Sequence, residues 1–260
     1  MIYSKQLLPT TVSIVRKAAS LMRSNSFEVT QKGGFSNIVT STDLAVQDFL
    51  CKELSRLLPE SGFFCEEKDL QDNSQKYTWI IDPIDGTSNY SRGFDQCAIC
   101  VGLKHQTDIL LGVIYIPSTD EMYTAEKNRG AFINNTPIHV SDRNFQDSIM
   151  CTALSVYHKE YADICASIIT DTFKQCNDIR RFGACAPELC YLAAGRCELY
   201  FEYLLSLWDF SAASLIVTEA GGIITDLEGK KLTFEKHSGI LAANNPANLH
   251  MLLDIIQKHL

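Results

Sequence analysis

The spacing of apolar side chains divides the chain into helical and strand-like segments. Over residues 10–23, Val12, Val15, Ala19 and Met22 recur at steps of three and four, which predicts a helix with one buried side. "KGGFSNIVTSTD" then reads as a flexible Gly-Gly loop followed by a short extended piece. A second amphipathic helix is expected over 44–58, with Val46, Phe49, Leu50, Leu54, Leu57 and Leu58 on one face. Ser41, Thr42 or Asp43 can cap it, and Pro59 ends it. "GFFCEE" and "YTWIID" read as short buried strands. "CAICVGL", "DILLGVIYIP", "EMYTAE" and "GAFIN" form a meander of strands separated by turn residues.

The second half alternates differently. Residues 157–174 look helical, "DIRRFG" extended, "PELCYLAAGR" helical and "CELYFEY" extended. "LWDFSAASLIVTEAGG" predicts a helix ended by two glycines, and "GIITDL", "GILAAN" and a helix from Pro246 complete the chain. No repeat, low-complexity tract or Pro/Ser-rich linker interrupts this order. The expected organisation is an antiparallel-sheet α+β subdomain over 1–140 and an α/β subdomain over 141–260, joined near 136–148 and sharing a rigid interface.

At 260 residues the chain is long enough for a substantial core, and 46% apolar with 21% charged residues is ordinary for a globular protein. A net charge of −8 argues against a nucleic-acid or anionic-membrane partner. The N-terminal stretch lacks the apolar core and small-residue cleavage site of a secretory signal, and no apolar run is long enough to span a membrane. The ten cysteines sit in apolar segments as buried thiols would, so the expectation is a reduced, cytoplasmic protein. Cys97 and Cys100 formally match C-x-x-C, but strand alternation would point them to opposite faces, which opposes a redox or zinc role.

The chemistry concentrates in "WIIDPIDGTSNY". Pro83 is expected to end the strand at Asp82, and Asp82 and Asp85 on either side of the turn can converge. Two carboxylates at the edge of a core need a counter-charge, and a hard cation such as Mg²⁺ takes carboxylate and carbonyl oxygens, the Ile84 carbonyl among them. Gly86 and Thr87 open "GTSN", whose free amides suit a phosphate. An Asp-Pro turn with a helix cap accounts for the same stretch without any function. Glu66 and Glu67 after a buried strand, Asp43 at one helix start and Asp209 at another each have a plain reading as a surface turn or a cap. Together they place carboxylates where side chains can share a cleft. P-loop, dinucleotide-binding, "GxSxG" and "HExxH" motifs do not occur.

From "VTSTD" to "GILAANN", the acidic pair, "DPIDGTSNY" and "WDFSAASLIVTEAGG" resemble, in order and separation, the inositol monophosphatase family of metal-dependent sugar phosphatases. The resemblance implies a layered αβαβα sandwich, a homodimer, two or three Mg²⁺ ions per site, a small phosphate ester as substrate and sensitivity to lithium. It assigns Glu66, Asp82 and the Ile84 carbonyl to one ion, and Asp82, Asp85 and Asp209 to a second. Thr87 and Asp43 match the pair that activates a metal-bound water. Glu66, Ile84, Asp85, Gly86, Thr87 and Asp209 surround the phosphate, and Gly183, Ala184, Cys185 and Glu202 match contacts to the substrate ring. Lys32 matches a lysine that approaches the site from the Gly-Gly loop. The chain has Cys65 where the family usually has Gly, and Ala184 where Ser or Thr is frequent, which bears on the substrate more than on the chemistry.

These features point to a phosphomonoesterase acting on myo-inositol 1-phosphate or a similar polyol phosphate. Fructose 1,6-bisphosphate, NADP and 3′-phosphoadenosine 5′-phosphate are the alternative substrates, although "GTSNY" differs from the Lys-Glu-Phe run frequent in the nucleotide branch. An aspartyl-phosphate mechanism is opposed by spacing, because two residues rather than one separate Asp82 from Asp85. A non-catalytic module binding a protein or RNA is a third reading, with no positive sequence support.

Overall fold

The computed structural model describes residues 6–23, 27–33, 36–67, 75–235 and 237–260. Its elements run α1 (Leu7–Ala18), β1 (Val29–Gly33), β2 (Asn37–Thr40), α2 (Ser41–Leu57), β3 (Ser61–Cys65), β4 (Tyr77–Asp85), α3 (Thr87–Ser91), β5 (Ala98–His105), β6 (Asp108–Ile116), β7 (Glu121–Glu126), β8 (Ala131–Ile133) and β9 (Thr136–Ile138). They continue as β10 (Ile149–Thr152), α4 (Ala162–Phe173), β11 (Asp178–Arg180), α5 (Cys185–Ala193), β12 (Leu199–Ser206), α6 (Leu207–Glu219), β13 (Ile223–Thr225), β14 (His237–Ala243) and α7 (Pro246–Ile256).

Strand alternation builds the layers. Trp79, Ile81, Ile99 and Val101 face α1 and α2, whereas Ile80, Ala98 and Cys100 on the same strands face α5 and α6. In the second sheet, Tyr200, Ile240 and Ala242 face that same central helix pair. Leu199, Phe201, Leu241 and Ala243 face α4 and α7. Both sheets are therefore covered on both faces, which is why their strands read as continuous apolar runs. The result is the expected αβαβα sandwich. The larger sheet has the order β3-β4-β5-β6-β7-β8-β9 and the smaller β11-β10-β12-β14-β13. Cys97 and Cys100 fall into different cores, as their spacing requires.

Close packing fixes α6. Gly102 and Gly112 face each other across β5 and β6, and α6 lies directly on them. A Cβ at Gly112 would stand 2.6 Å from the Ala212 carbonyl oxygen, so only glycine lets the helix come this near.

Several expectations are corrected. The larger sheet is not wholly antiparallel, because β3 pairs with β4 in parallel, and the smaller sheet mixes both senses. β4 does not stop at Asp82. It passes through Pro83 to Asp85 by an irregularity between Asp82 and Asp85, beyond the last β3 pair at Cys65–Ile81, where no ladder bond is asked of the proline nitrogen. The first helix starts at Leu7 and ends in a 3₁₀ turn over Ala19–Arg23, and the helix expected from 157 starts at Ala162. The α2 cap is Thr40, not residues 41–43. Its hydroxyl accepts from the Asp43 N–H while Asp43 accepts from the Thr40 N–H, a reciprocal capping box. Lys32 lies on β1, paired with β2, rather than in a loop; Gly34 of the expected Gly-Gly loop and the charged loop 68–74 lie outside the described residues.

Candidate active site

A cavity of about 240 Å³ opens where the ends of β3, β4 and β12 meet the starts of α3 and α6. Lys32, Glu66, Asp82, Ile84, Asp85, Gly86, Thr87 and Asp209 line it, with Asn37, Tyr157, Ser206 and Trp208. Acidic residues separated by up to 143 positions in the chain thus share one wall, as the sequence suggested.

The three aspartates are each held by backbone. Asp82 accepts from the Ile84 N–H at 3.0 Å across the Pro83 irregularity. Asp209 is the third residue of α6, where it closes a second capping box by accepting from the Ser206 N–H at 2.8 Å. Asp85 accepts from the Ala186 N–H at 2.6 Å, so the start of α5 is tied to the end of β4. Gly86 turns the chain into α3 with φ +87°, and a Cβ there would stand 2.8 Å from the Gln96 carbonyl oxygen.

Behind this wall lies a hydroxyl–carboxylate pair. Thr87 Oγ1 is 3.0 Å from both Asp43 Oδ1 and the Ile84 carbonyl oxygen, and it has one proton to give. Asp43 is fully buried and also accepts from the Thr40 N–H at 2.8 Å and from the Thr40 hydroxyl. Capping thus holds Asp43 where Thr87 can reach it.

The electrostatics are those of crowded acids. Burial first, then Glu66, Asp85 and Asp209, pushes Asp82 well above the usual carboxylate range. Burial lifts Asp85 to about 7, against the Ala186 amide that favours its ionised form. Asp209 is raised by burial and by Asp85 and Glu66. Among the described residues lining the cavity, Lys32 is the single basic side chain, and its ammonium is 3.1 Å from Glu66 and also bonded to Glu67.

Among the described residues, no three Asp, Glu, His or Cys side chains stand as a closed metal cage; the carboxylates line an open cavity instead. The donor set nevertheless fits Mg²⁺: carboxylate and carbonyl oxygens, no histidine or cysteine in the lining, and more negative charge than Lys32 can balance.

The expected ring contacts are adjacent. Glu202 lines a smaller cavity of about 60 Å³ that shares Tyr157, Ser206 and Asp209 with the first. Tyr200 donates to Glu202 at 2.7 Å, and burial lifts Glu202 to about 7. Gly183, Ala184 and Cys185 lead into α5 beside Asp85; Ala184 abuts Gly86, but none of the three lines the larger cavity.

Gln47, Tyr157, Trp208 and Ser206 were not foreseen from the sequence, and Glu67 was noted only as half of the acidic pair. Glu67 is buried and raised to about 7 by burial, and its backbone N–H donates to Gln47 at 2.9 Å. That grip on Glu67 steadies Glu66. Trp208 and Ser206 could have been found from their place beside Asp209.

A family model described as the inositol monophosphatase family matches residues 4–260. The chain belongs to this family. A protein of Vibrio cholerae named Nus factor SuhB is 34% identical over 244 residues, covering 93% of this chain and 90% of that one. An inositol-1-monophosphatase of Mesorhizobium japonicum is 31% identical over 237 residues, covering 90% and 88%. Among solved structures, the extragenic suppressor protein suhB of Bartonella henselae superposes with a TM-score of 0.91 at 32% identity, covering 98% and 100%. An IMPase of Thermotoga maritima gives 0.87 at 28% identity, covering 96% of each chain.

Proposed function

We propose that this inositol monophosphatase family member is a Mg²⁺-dependent phosphomonoesterase acting on myo-inositol 1-phosphate or a similar polyol phosphate. One observation supports it above the rest: Glu66, Asp82, Asp85 and Asp209 line one cavity with Thr87, whose hydroxyl reaches the buried carboxylate of Asp43.

Glu66, Asp82 and the Ile84 carbonyl would hold one ion, and Asp82, Asp85 and Asp209 a second, with a third beside Glu66. When bound, Mg²⁺ neutralises the phosphate and acidifies water. Thr87 then accepts a proton from the attacking water while donating its own to Asp43, which must be ionised to receive it. The Thr87 amide would be a donor for phosphate oxygens, presented by the left-handed turn at Gly86. Glu202 lines the adjoining cavity that would take the leaving alcohol, and the ring contacts of Gly183, Ala184 and Cys185 are carried over from the family resemblance. The proposal includes a homodimer, carried over from the family resemblance.

Phosphate release from myo-inositol 1-phosphate, fructose 1,6-bisphosphate, NADP and 3′-phosphoadenosine 5′-phosphate, with Mg²⁺ and with EDTA, tests it. Release only with Mg²⁺ and fastest from the inositol ester is expected. Preference for the nucleotide would reassign the substrate, and no metal-dependent release would end the hydrolase reading.

The Nus-factor name of the Vibrio relative favours a second reading, a non-catalytic binding role. An Asp82→Asn protein devoid of phosphatase activity that still supports growth in place of wild type would favour it.

A further inference from the structure

We propose that Tyr157 is a specificity-determining residue that selects ring-shaped leaving groups, its aromatic face covering the apolar face of a cyclic polyol. The inference rests on the phosphomonoesterase reading of the same site. Tyr157 is one of three residues common to the two adjoining cavities, with Ser206 and Asp209, so it stands between the carboxylates and Glu202. That is where an alcohol leaving a phosphate at Asp85–Thr87 must lie. Its surface is 58% exposed, and among the described residues its hydroxyl has no hydrogen-bond partner. What sets Tyr157 apart from other exposed aromatic side chains is its place on the wall of both cavities, where its ring is open to an occupant.

The backbone holds the ring there. Ser155 adopts a left-handed conformation, φ +47°, unusual for a residue with a side chain. Its hydroxyl is buried and accepts from the Leu204 N–H of β12 at 3.2 Å. The Ser155 carbonyl accepts from the His158 N–H at 2.8 Å, closing a turn with Tyr157 at its third position. Beyond the turn, the His158 ring lies 5.8 Å from that of Tyr161, and Tyr161 packs on Tyr203 at 4.4 Å. Tyr203 follows Glu202 directly. The turn is thus fastened at both ends to the strand that carries Glu202, and strain at Ser155 is retained where it positions a side chain. Across the cavity, Trp208 is braced by Phe64 with centroids 5.6 Å apart. Two aromatic side chains on one polar cavity suit a substrate with polar edges and an apolar face, the form of a cyclic polyol and not of a short acyclic one.

The test compares myo-inositol 1-phosphate with glycerol 2-phosphate for wild type, Tyr157→Ala and Tyr157→Phe. Tyr157→Ala is expected to lower the ratio of the two kcat/KM values about tenfold, mainly through KM for the inositol ester, and Tyr157→Phe to restore most of it. An unchanged ratio overturns the proposal. A second arm measures saturation-transfer NMR with myo-inositol itself, which needs no turnover. Saturation lost in Tyr157→Ala supports ring contact even if wild type hydrolyses no ester, and unchanged saturation overturns it. Absence of phosphate release from every ester therefore counts against the hydrolase reading alone.

Discussion

Asp85 accepts a hydrogen bond from the backbone of Ala186, 101 residues further along the chain, at 2.6 Å. One carboxylate thus serves the cavity wall and ties the end of β4 to the start of α5. The two roles separate in Asp85→Asn. An amide oxygen still accepts from Ala186, while the negative charge facing Glu66 is gone. Mg²⁺-dependent turnover should fall by more than roughly a hundredfold, the upper end for losing only an outer partner of a metal ligand. The melting temperature without metal should hold or rise. Calorimetry and phosphate release check both; near-full activity, or an unfolded variant, would contradict the assignment.

The Thr87–Asp43 pair makes a different prediction. Thr87→Ala removes the hydroxyl that links the cavity to Asp43 but touches no proposed metal ligand except the Ile84 carbonyl. A drop in kcat of about 10²-fold or more is expected, with little change in KM, and Thr87→Ser should recover most of it. Equal losses in the alanine and serine variants would place the role of Thr87 in packing rather than proton transfer.

Legibility varied with the kind of signal. The layers were readable because apolar runs over β4, β5, β6 and β14 announce strands buried on both faces. Glu66, Asp82, Asp85 and Asp209 were readable because each carboxylate stands next to a turn or a helix start. The direction of β3 was not, since the connection through 66–76 carries no periodic pattern. Nor was the α2 cap, where residues 40–43 all have suitable side chains and only the buried position of Asp43 decides for Thr40. Pro83 misled because a proline is excluded from a strand only where a partner needs its N–H, and β3 has ended by then. Tyr157 escaped because the helical spacing was carried back to 157, whereas the helix starts at Ala162; tertiary contacts from Leu204 and Tyr203 give the turn its place.

Stability should depend on pH in an unusual direction. Glu67, Asp85 and Glu202 are each raised by burial to about 7 in the folded protein, from ordinary values of 4.5, 3.8 and 4.5. The folded state therefore holds protons that the unfolded chain releases. This contribution is fully present below the ordinary values and is lost as pH rises through about 7. In EDTA, the melting temperature should fall between about pH 5 and about pH 8. Saturating Mg²⁺, which favours ionised carboxylates, should raise it more at the higher pH. Thermal melts at both values check this, and a melting temperature in EDTA that climbs across the window would contradict the burial of these acids.

Placement of Asp209 depends on a glycine that touches no ligand. α6 rests on Gly112, where an added Cβ would meet the Ala212 carbonyl oxygen at 2.6 Å, and backbone on both sides cannot swing away. Asp209 lies three residues before Ala212 on the same helix. Gly112→Ala must lift α6 from the sheet, at a cost of about 1–3 kcal/mol, and carry Asp209 away from Asp82 and Asp85. Reduced stability in urea and weaker Mg²⁺ binding by calorimetry are expected together. Gly102→Ala is the comparison: its Cβ would meet the Ser211 hydroxyl at 3.1 Å and no backbone atom nearer than 3.5 Å, so the loss should be smaller. A Gly112→Ala protein as stable as Gly102→Ala, with unaltered metal affinity, would show that helix contact at Gly112 does not set the position of Asp209.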